Sequence, residues 1–183
     1  MTEASSVVVS LNAALNAALP ALNARVRQEL EPDLDFCATL YALTRDAEMA
    51  TVDWSEATKS AFCRSQFDAQ RAHYRAHYPS ANFLVIERDY APIGRLYFEQ
   101  GASELRLMEI TLLTAARNLG IGGALSGALL SRAADAGVVM GLHVEPYNPA
   151  RRLYERQGFK TIEERGPYLY MVCEPTRPAI DLA

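Results

Sequence analysis

Three glycines within four residues, Gly120, Gly122 and Gly123, separate an extended run, Glu104–Leu113, from a helix-forming run, Leu125–Ala136. A strand therefore feeds a helix through a turn almost free of side chains. This junction constrains the fold more than any other feature, because it lays a helix against a sheet and calls for an architecture that mixes the two. It also prepares a chemistry. A helix start exposes N–H groups without intrahelical acceptors and the positive end of the helix dipole, and glycine lets a bulky anion approach the main chain. The stretch Arg117-Asn118-Leu119-Gly120-Ile121-Gly122-Gly123 is accordingly a candidate phosphate-binding loop.

The flanking segments define the sheet. Phe83–Glu87 and Ile93–Glu99 read as strands joined by a turn at Arg88 to Pro92, and Gln100 to Ser103 turns the chain into Glu104–Leu113, giving an antiparallel meander of three strands. After the loop, Ile121, Ala124, Leu125, Ala128, Leu129 and Ala133 recur at helical spacing as a buried stripe. Gly123 and Gly127 allow close packing on the sheet, and Gly137 stops the helix. Val138–Val144 arrives through this helical crossover, which makes it parallel to the strand before the loop. Asn148-Pro149 starts another helix, with Asn148 as cap, that ends at Gly158; Phe159–Glu164 and Tyr168–Cys173 are a closing strand pair.

Ahead of the meander, Phe36–Leu43 reads as a first strand. A short helix follows Thr44, and Ser55 caps a longer one running to His77, with Phe62, Gln66, Ala69, His73 and Ala76 on one face. His73 and His77 are four apart, but no third ligand accompanies them, so they read as a packed or solvated pair and no metal is expected. Arg71, Tyr74, Arg75 and Tyr78 fit the lip of a substrate mouth and an ordinary amphipathic surface equally well. Residues 1–33 form an extension, weakly helical through Leu11, Leu15 and Leu19 but interrupted by asparagines and Pro20. It reads as a partly ordered segment or as a packing arm for a homodimer. Residues 34–175 form one domain, and 176–183 a proline-containing tail expected to fray.

Composition removes several classes. Acidic residues outnumber basic ones 22 to 18, so the chain is net −4; no grip on nucleic acid is expected, and a cationic or neutral partner is favoured. Cys37, Cys63 and Cys173 are far apart and odd in number, which suits buried thiols of a cytoplasmic protein better than a disulfide framework or zinc cluster. The apolar run Val7–Leu22 lacks the early positive charge of an export signal and is broken well short of a membrane span, so a soluble protein without membrane contact is expected.

Spacing also separates the possible phosphate ligands. No Lys-Ser/Thr follows the last glycine, which excludes a nucleotide P-loop. Leu125 stands where a dinucleotide fingerprint needs its third glycine, and the strands before the loop are antiparallel, unlike a first Rossmann unit. What fits is Arg117-x-x-Gly120-x-Gly122. Through this motif, the order of elements and the segment from Asn148 through Leu153-Tyr154 to Gly158-Phe159, the chain from Phe36 to Cys173 resembles the GNAT superfamily of acyl-CoA-dependent N-acyltransferases.

The resemblance implies an α/β fold of the α+β type: a central mixed, mostly antiparallel sheet of about seven strands, splayed between the fourth and fifth, with helices on both faces. It implies acetyl-CoA as cosubstrate. The pyrophosphate would lie on the backbone amides of Arg117, Asn118, Leu119, Gly120, Ile121, Gly122 and Gly123, and the pantetheine arm along Ile110, Thr111 and Leu112 as a surrogate strand. Asn148 falls at a pantetheine-contact position, one residue closer to Tyr154 than in many members, with capping as its other role. Tyr154, at the family's Leu-Tyr position, is the candidate acid for the leaving thiolate. Glu109, at a place often acidic in the family, and His143, on the partner strand, are the candidate bases; strand parity decides which faces inward, and a bulge near the loop inverts the answer. The implied function is acetyl transfer to a primary amine of a small molecule or protein N-terminus, gripped by the region Arg45 to Tyr78. The alternative is a non-catalytic acyl-CoA-binding or interaction module.

Overall fold

The computed structural model describes residues 12–175. Its strands are β1 (Ala24–Gln28), β2 (Asn82–Arg88), β3 (Ala91–Gln100), β4 (Glu104–Leu112), β5 (Val139–Val144), β6 (Lys160–Arg165) and β7 (Tyr168–Cys173), joined in one open sheet in the order β1-β2-β3-β4-β5-β7-β6. Only β4 and β5 pair in parallel. The helices are α1 (residues 12–17), α2 (Leu34–Thr44), α3 (Asp46–Met49), α4 (Glu56–His77), α5 (Ile121–Ala136) and α6 (Arg151–Arg156). The meander, crossover and closing strand pair thus follow the order read from the sequence, and the sheet is mixed, mostly antiparallel and seven-stranded.

Strand alternation puts helices on both faces. Leu84, Leu96, Phe98, Leu105 and Leu142 form the main core with Leu15 and Leu19 before β1, Leu125 and Leu129 of α5, and Tyr154 of α6. On the opposite face Cys37, Ala38 and Tyr41 of α2 and Cys63 and Phe67 of α4 cover Val85. Cys37 and Cys63 are buried free thiols, while Cys173 is half-buried.

The expected first strand, Phe36–Leu43, is instead the body of α2. Its buried residues, Cys37, Ala38, Leu40 and Tyr41, follow helical spacing, and its alanines and leucines favour a helix; a short apolar run alone does not distinguish the two states. The seventh strand comes from the stretch read as an extension. In β1 only Val26 is buried, while Arg25 and Arg27 reach Glu87 at 2.7 and 2.6 Å. Asn16, which was expected to weaken a helix, binds both backbone groups of Val26: its Nδ2 donates to the Val26 carbonyl at 3.1 Å and its Oδ1 accepts the Val26 N–H at 2.6 Å. It thereby stands in for a neighbouring strand at the sheet edge. Leu11 and the apolar run before it, and the tail beyond residue 175, lie outside the described residues.

Helix α4 has its expected ends. The Ser55 hydroxyl accepts the Thr58 N–H, and the helix runs to His77. Its face is rotated, however: Phe62, Gln66, Ala69, His73 and Ala76 are exposed, whereas Cys63 and Phe67 are buried and Gln70 and Tyr74 half-buried. The two stripes differ by one position, about 100° around the axis, and their similar polarity hides which one packs. Gly123 and Gly127 face α6, where added methyl groups would come within 3.5 Å of Leu153 and 3.8 Å of Gln157. They therefore serve a helix contact, not the expected sheet contact. The buried Ser126 donates to Gln157 Oε1 at 2.8 Å and locks the two helices together.

One prediction concerns β1. Arg27 donates to both oxygens of Asp33, at 2.6 and 2.8 Å, and holds that carboxyl below its ordinary 3.8. Burial pushes Glu87 upward, but hydrogen bonds from Arg27 and Arg25 outweigh it and leave it below its ordinary 4.5. Both folded values are depressed, so their contribution to stability is complete above the unfolded values and is lost as pH falls through the folded ones. Melting temperature should fall steeply only below pH 4.5, and the double variant D33N/E87Q should flatten that fall in a calorimetric pH series.

Candidate active site

The site begins at a bulge. β4 pairs with β5 only from Glu104↔Val139 to Leu107↔Leu142. Immediately afterwards its register against β3 shifts, from Phe98↔Leu107 to Tyr97↔Glu109, leaving Met108 as the extra residue. A bulge bends its strand and increases its twist, so the parallel pair comes apart at the point where β4 bends. From Met108 to Leu112 the edge of β4 facing β5 has no strand partner.

The same extra residue decides side-chain direction. Leu105 and Leu107 point into the main core, and unbroken alternation would send Glu109 after them. With Met108 inserted, Ile110 and Leu112 pack against that core, and Glu109 and Thr111 turn to the face of α2 and α4, level with Tyr97 and Arg95. Thr111 donates to Glu109 Oε1, and Arg95 lies 3.3 Å from Oε2. Gly94, opposite Leu112, is needed here: a Cβ would sit 2.4 Å from the Thr111 carbonyl oxygen.

These residues line a cavity of about 470 Å³ in the gap between β4 and β5, the scale of a small-molecule site. Glu109, Ile110, Thr111, His143, Asn148 and Tyr154 all border it, so the structure brings together both candidate bases and the candidate acid. Tyr154 is 5% exposed and packs edge-on against Phe159 with ring centroids 5.6 Å apart. Among the described residues no protein group hydrogen-bonds its hydroxyl. Burial, and then the charge of Glu109, push its pKa up to about 12. His143 is largely exposed and stacks on Tyr170 at 5.0 Å; partial loss of hydration, and then the charges of Arg106 and Arg165, hold it below its ordinary 6.5.

The glycine loop adjoins this gap. Asn118 and Gly120 take left-handed φ values of 61° and 85°, and α5 begins at Ile121 without a side-chain cap. The first bond into α5 is from the Ala124 N–H to the Gly120 carbonyl at 2.9 Å, and among the described residues the N–H groups from Asn118 to Gly123 have no acceptor. Arg117 differs from the rest of the motif. Its N–H donates to Thr114 and its Nε to the Leu112 carbonyl at 3.0 Å, so it braces the loop against the end of β4. Asn148 accepts the Ala150 N–H at 2.9 Å and closes a turn; α6 itself starts only at Arg151, later than expected.

Of the ambiguous group on α4, Tyr74 and Tyr78 line the cavity, while Arg71 and Arg75 approach Glu29 at 3.0 and 3.9 Å. His73 and His77 stack at 4.1 Å on an exposed face, and no cluster of three metal-binding side chains occurs among the described residues. The sequence reading missed Tyr41, Arg95 and Arg106 as cavity residues. Arg95 carried a signal: it falls on the same side of an alternating apolar strand as Tyr97, where a charge needs a reason.

An open sheet that splays beside a glycine loop at a helix start, with a buried tyrosine and an acidic strand residue in the gap, defines the acyltransferase class of α/β folds. The chain belongs to the acetyltransferase (GNAT) family, whose model matches residues 43–159. Among curated proteins none matches by sequence. Solved structures match in fold. The PaiA N-acetyltransferase of Thermoplasma acidophilum, determined in complex with coenzyme A, superposes with a TM-score of 0.63 at 18% identity over 82% of this chain and 98% of that one. The ribosomal-protein-S18-alanine N-acetyltransferase of Escherichia coli gives 0.57 at 17% identity over 87% and 99%. An acetyltransferase of Streptococcus agalactiae gives 0.61 at 15% over 83% and 98%. At these identities the likeness is one of fold. No helix among the described residues is long and apolar enough to cross a membrane.

Proposed function

We propose that the chain is an N-acetyltransferase that moves an acetyl group from acetyl-CoA to a primary amine. The observation that carries this reading is an unpartnered strand edge that shares a cleft with an unbonded tyrosine hydroxyl and is adjoined, at its Leu112 end, by a run of unpaired backbone amides. The edge from Met108 to Leu112 offers the strand-like hydrogen bonding that a peptide-like pantetheine arm requires. The amides from Asn118 to Gly123, at the positive end of α5, suit a pyrophosphate. Family membership and a neighbour that holds coenzyme A support the same donor.

The thioester supplies the acetyl carbon: a C–N bond forms, the C–S bond breaks, and the amine loses one proton. Glu109 is the base in this reading. Arg95 and Thr111 hold its two oxygens, and each oxygen keeps a lone pair for the proton, directly or through water. Tyr154 donates a hydrogen bond to the sulfur as negative charge grows there. With a pKa near 12 it is a weaker acid than an ordinary thiol of about 8.5, so complete transfer of its proton to the leaving thiolate is uphill. Its contribution is electrostatic, and solvent completes the protonation. His143, held below its ordinary 6.5 and stacked on Tyr170, borders the same cleft.

Titration calorimetry with acetyl-CoA and coenzyme A tests the donor site. Saturable binding is expected, and its absence at millimolar ligand overturns the reading. Binding without thiol release for any amine would identify a non-catalytic module.

A further inference from the structure

The acceptor half of the cleft has the opposite charge character to the whole chain. The protein is net −4, yet the residue after α2 and strands β3 and β4 contribute Arg45, Arg95 and Arg106 to the cavity wall, against two carboxylates, Glu109 and Glu145. Two of these arginines share a ring. The guanidinium carbons of Arg45 and Arg95 lie 5.5 and 5.9 Å from the centroid of Tyr41. Arg45 spends one nitrogen on Glu48 at 2.8 Å, and Arg106 one on Glu104 at 2.9 Å.

Arg95 is the unusual member. It is 1% exposed, and its Nη2 meets Gln70 Oε1 at 3.1 Å and Glu109 at 3.3 Å, but its Nε and Nη1 have no acceptor among the described residues. The rings of Phe67 and Tyr97, 5.4 and 5.1 Å away, attract a cation but offer it no carboxylate or carbonyl oxygen. Buried donors are rarely left unpaired, because the lost hydration is not recovered. A buried guanidinium with spare donors, bordering a cavity lined by a second guanidinium, fits an anionic group on the molecule that enters.

We infer that the acceptor is a small amino acid-like molecule, whose carboxylate docks at Arg95 and Arg45 and whose amine turns towards Glu109. This rests on the acetyltransferase reading above, and the reaction stays the one balanced there, with the amine proton leaving to Glu109. The charge pattern of the wall mirrors the two charges of such a molecule. An acceptor bearing only positive charge, such as a polyamine, would face three guanidiniums against two carboxylates, one of them, Glu109, already beside Arg95. The net acidity that favoured a cationic partner is a property of the outer surface, not of this cleft.

Thiol release from saturating acetyl-CoA should be measured for matched pairs of acceptors, each a free α-amino acid and its carboxamide, with aliphatic, aromatic, acidic and basic side chains. The expected result is at least one acid whose kcat/KM exceeds that of its amide by about tenfold or more. In R45M the KM for that acid should rise by about tenfold, its preference over the amide should collapse, and the Kd of acetyl-CoA should hold. R45K should recover part of the loss. Equal or better use of the amides, equal use of a peptide with an amidated C-terminus, or no release with any acid by a protein that binds acetyl-CoA overturns the inference and leaves the donor site standing. Failure to bind acetyl-CoA overturns both.

Discussion

Replacing Tyr154 by phenylalanine is expected to lower kcat by about two orders of magnitude while the acetyl-CoA Kd and the melting temperature stay nearly unchanged. The ring is structural, packed in the main core and edge-on to Phe159, and phenylalanine keeps that contact. The hydroxyl is different. Among the described residues it has no protein partner, so its removal strands no buried donor or acceptor, and it opens on the cavity beside Glu109. With its pKa pushed up to about 12, it also remains a hydrogen-bond donor throughout the neutral range. A basic limb in kcat between pH 7 and pH 10 would therefore come from another group. Steady-state thiol release checks the effect, and unchanged turnover at saturating substrates would remove this hydroxyl from the chemistry.

The largest effect on stability is expected at Glu29, just after β1. Its side chain is fully buried, accepts from Arg71 Nε and Nη2 at 3.1 and 3.0 Å, and accepts from the Tyr97 hydroxyl. Glu29→Ala removes the shared acceptor. Breaking a buried pair costs roughly 3 kcal/mol or more, because the partners stay behind unpaired. Arg71 is partly exposed and can recover water, but Tyr97 is fully buried and cannot. A fall in melting temperature of roughly 6–12 °C should follow, measurable by calorimetry, and a fall below about 2 °C would refute the ion-pair account. The double variant E29L/R71M, which removes both charges, should lose less than E29A. Because Tyr97 lies opposite Glu109 and its ring is 5.1 Å from Arg95, E29A should also impair acceptor use more than donor binding. The nearby Cys37 thiol, pushed up to about 12 by burial and by Glu29, should stay protonated and unreactive in the wild type.

Much of the fold was legible because its signals are local. A short apolar run marked β2, alternation marked β3, the turn at Gln100 to Ser103 led into β4, helical spacing marked α5, and a helical crossover between β4 and β5 left parallel pairing as the natural outcome. The first strand was not legible. β1 buries a single valine and is held by arginines on Glu87 and by an asparagine clasp, all long-range contacts with no periodic mark. The stripe of α4 was misplaced by one position because Phe62 and Phe67 compete at its two edges, and only the apposed α2 selects Cys63 and Phe67.

The same division runs through the site. By itself the sequence determined the glycine loop: Gly120 and the helix that follows it favour a left-handed turn and amides without intrahelical acceptors, since that conformation depends on neighbouring residues alone. Only the tertiary structure decided the cavity beside β4. One inserted residue, Met108, turned Glu109 and Thr111 towards α2 and α4 and separated β4 from β5. The packing of those helices then buried Arg95 beside Tyr41 and set it in the cavity wall with Arg45 and Arg106. A bulge costs one residue of register and leaves no compositional trace, and a buried charge is defined by the groups that surround it, so neither could be read before the strands and helices were in contact.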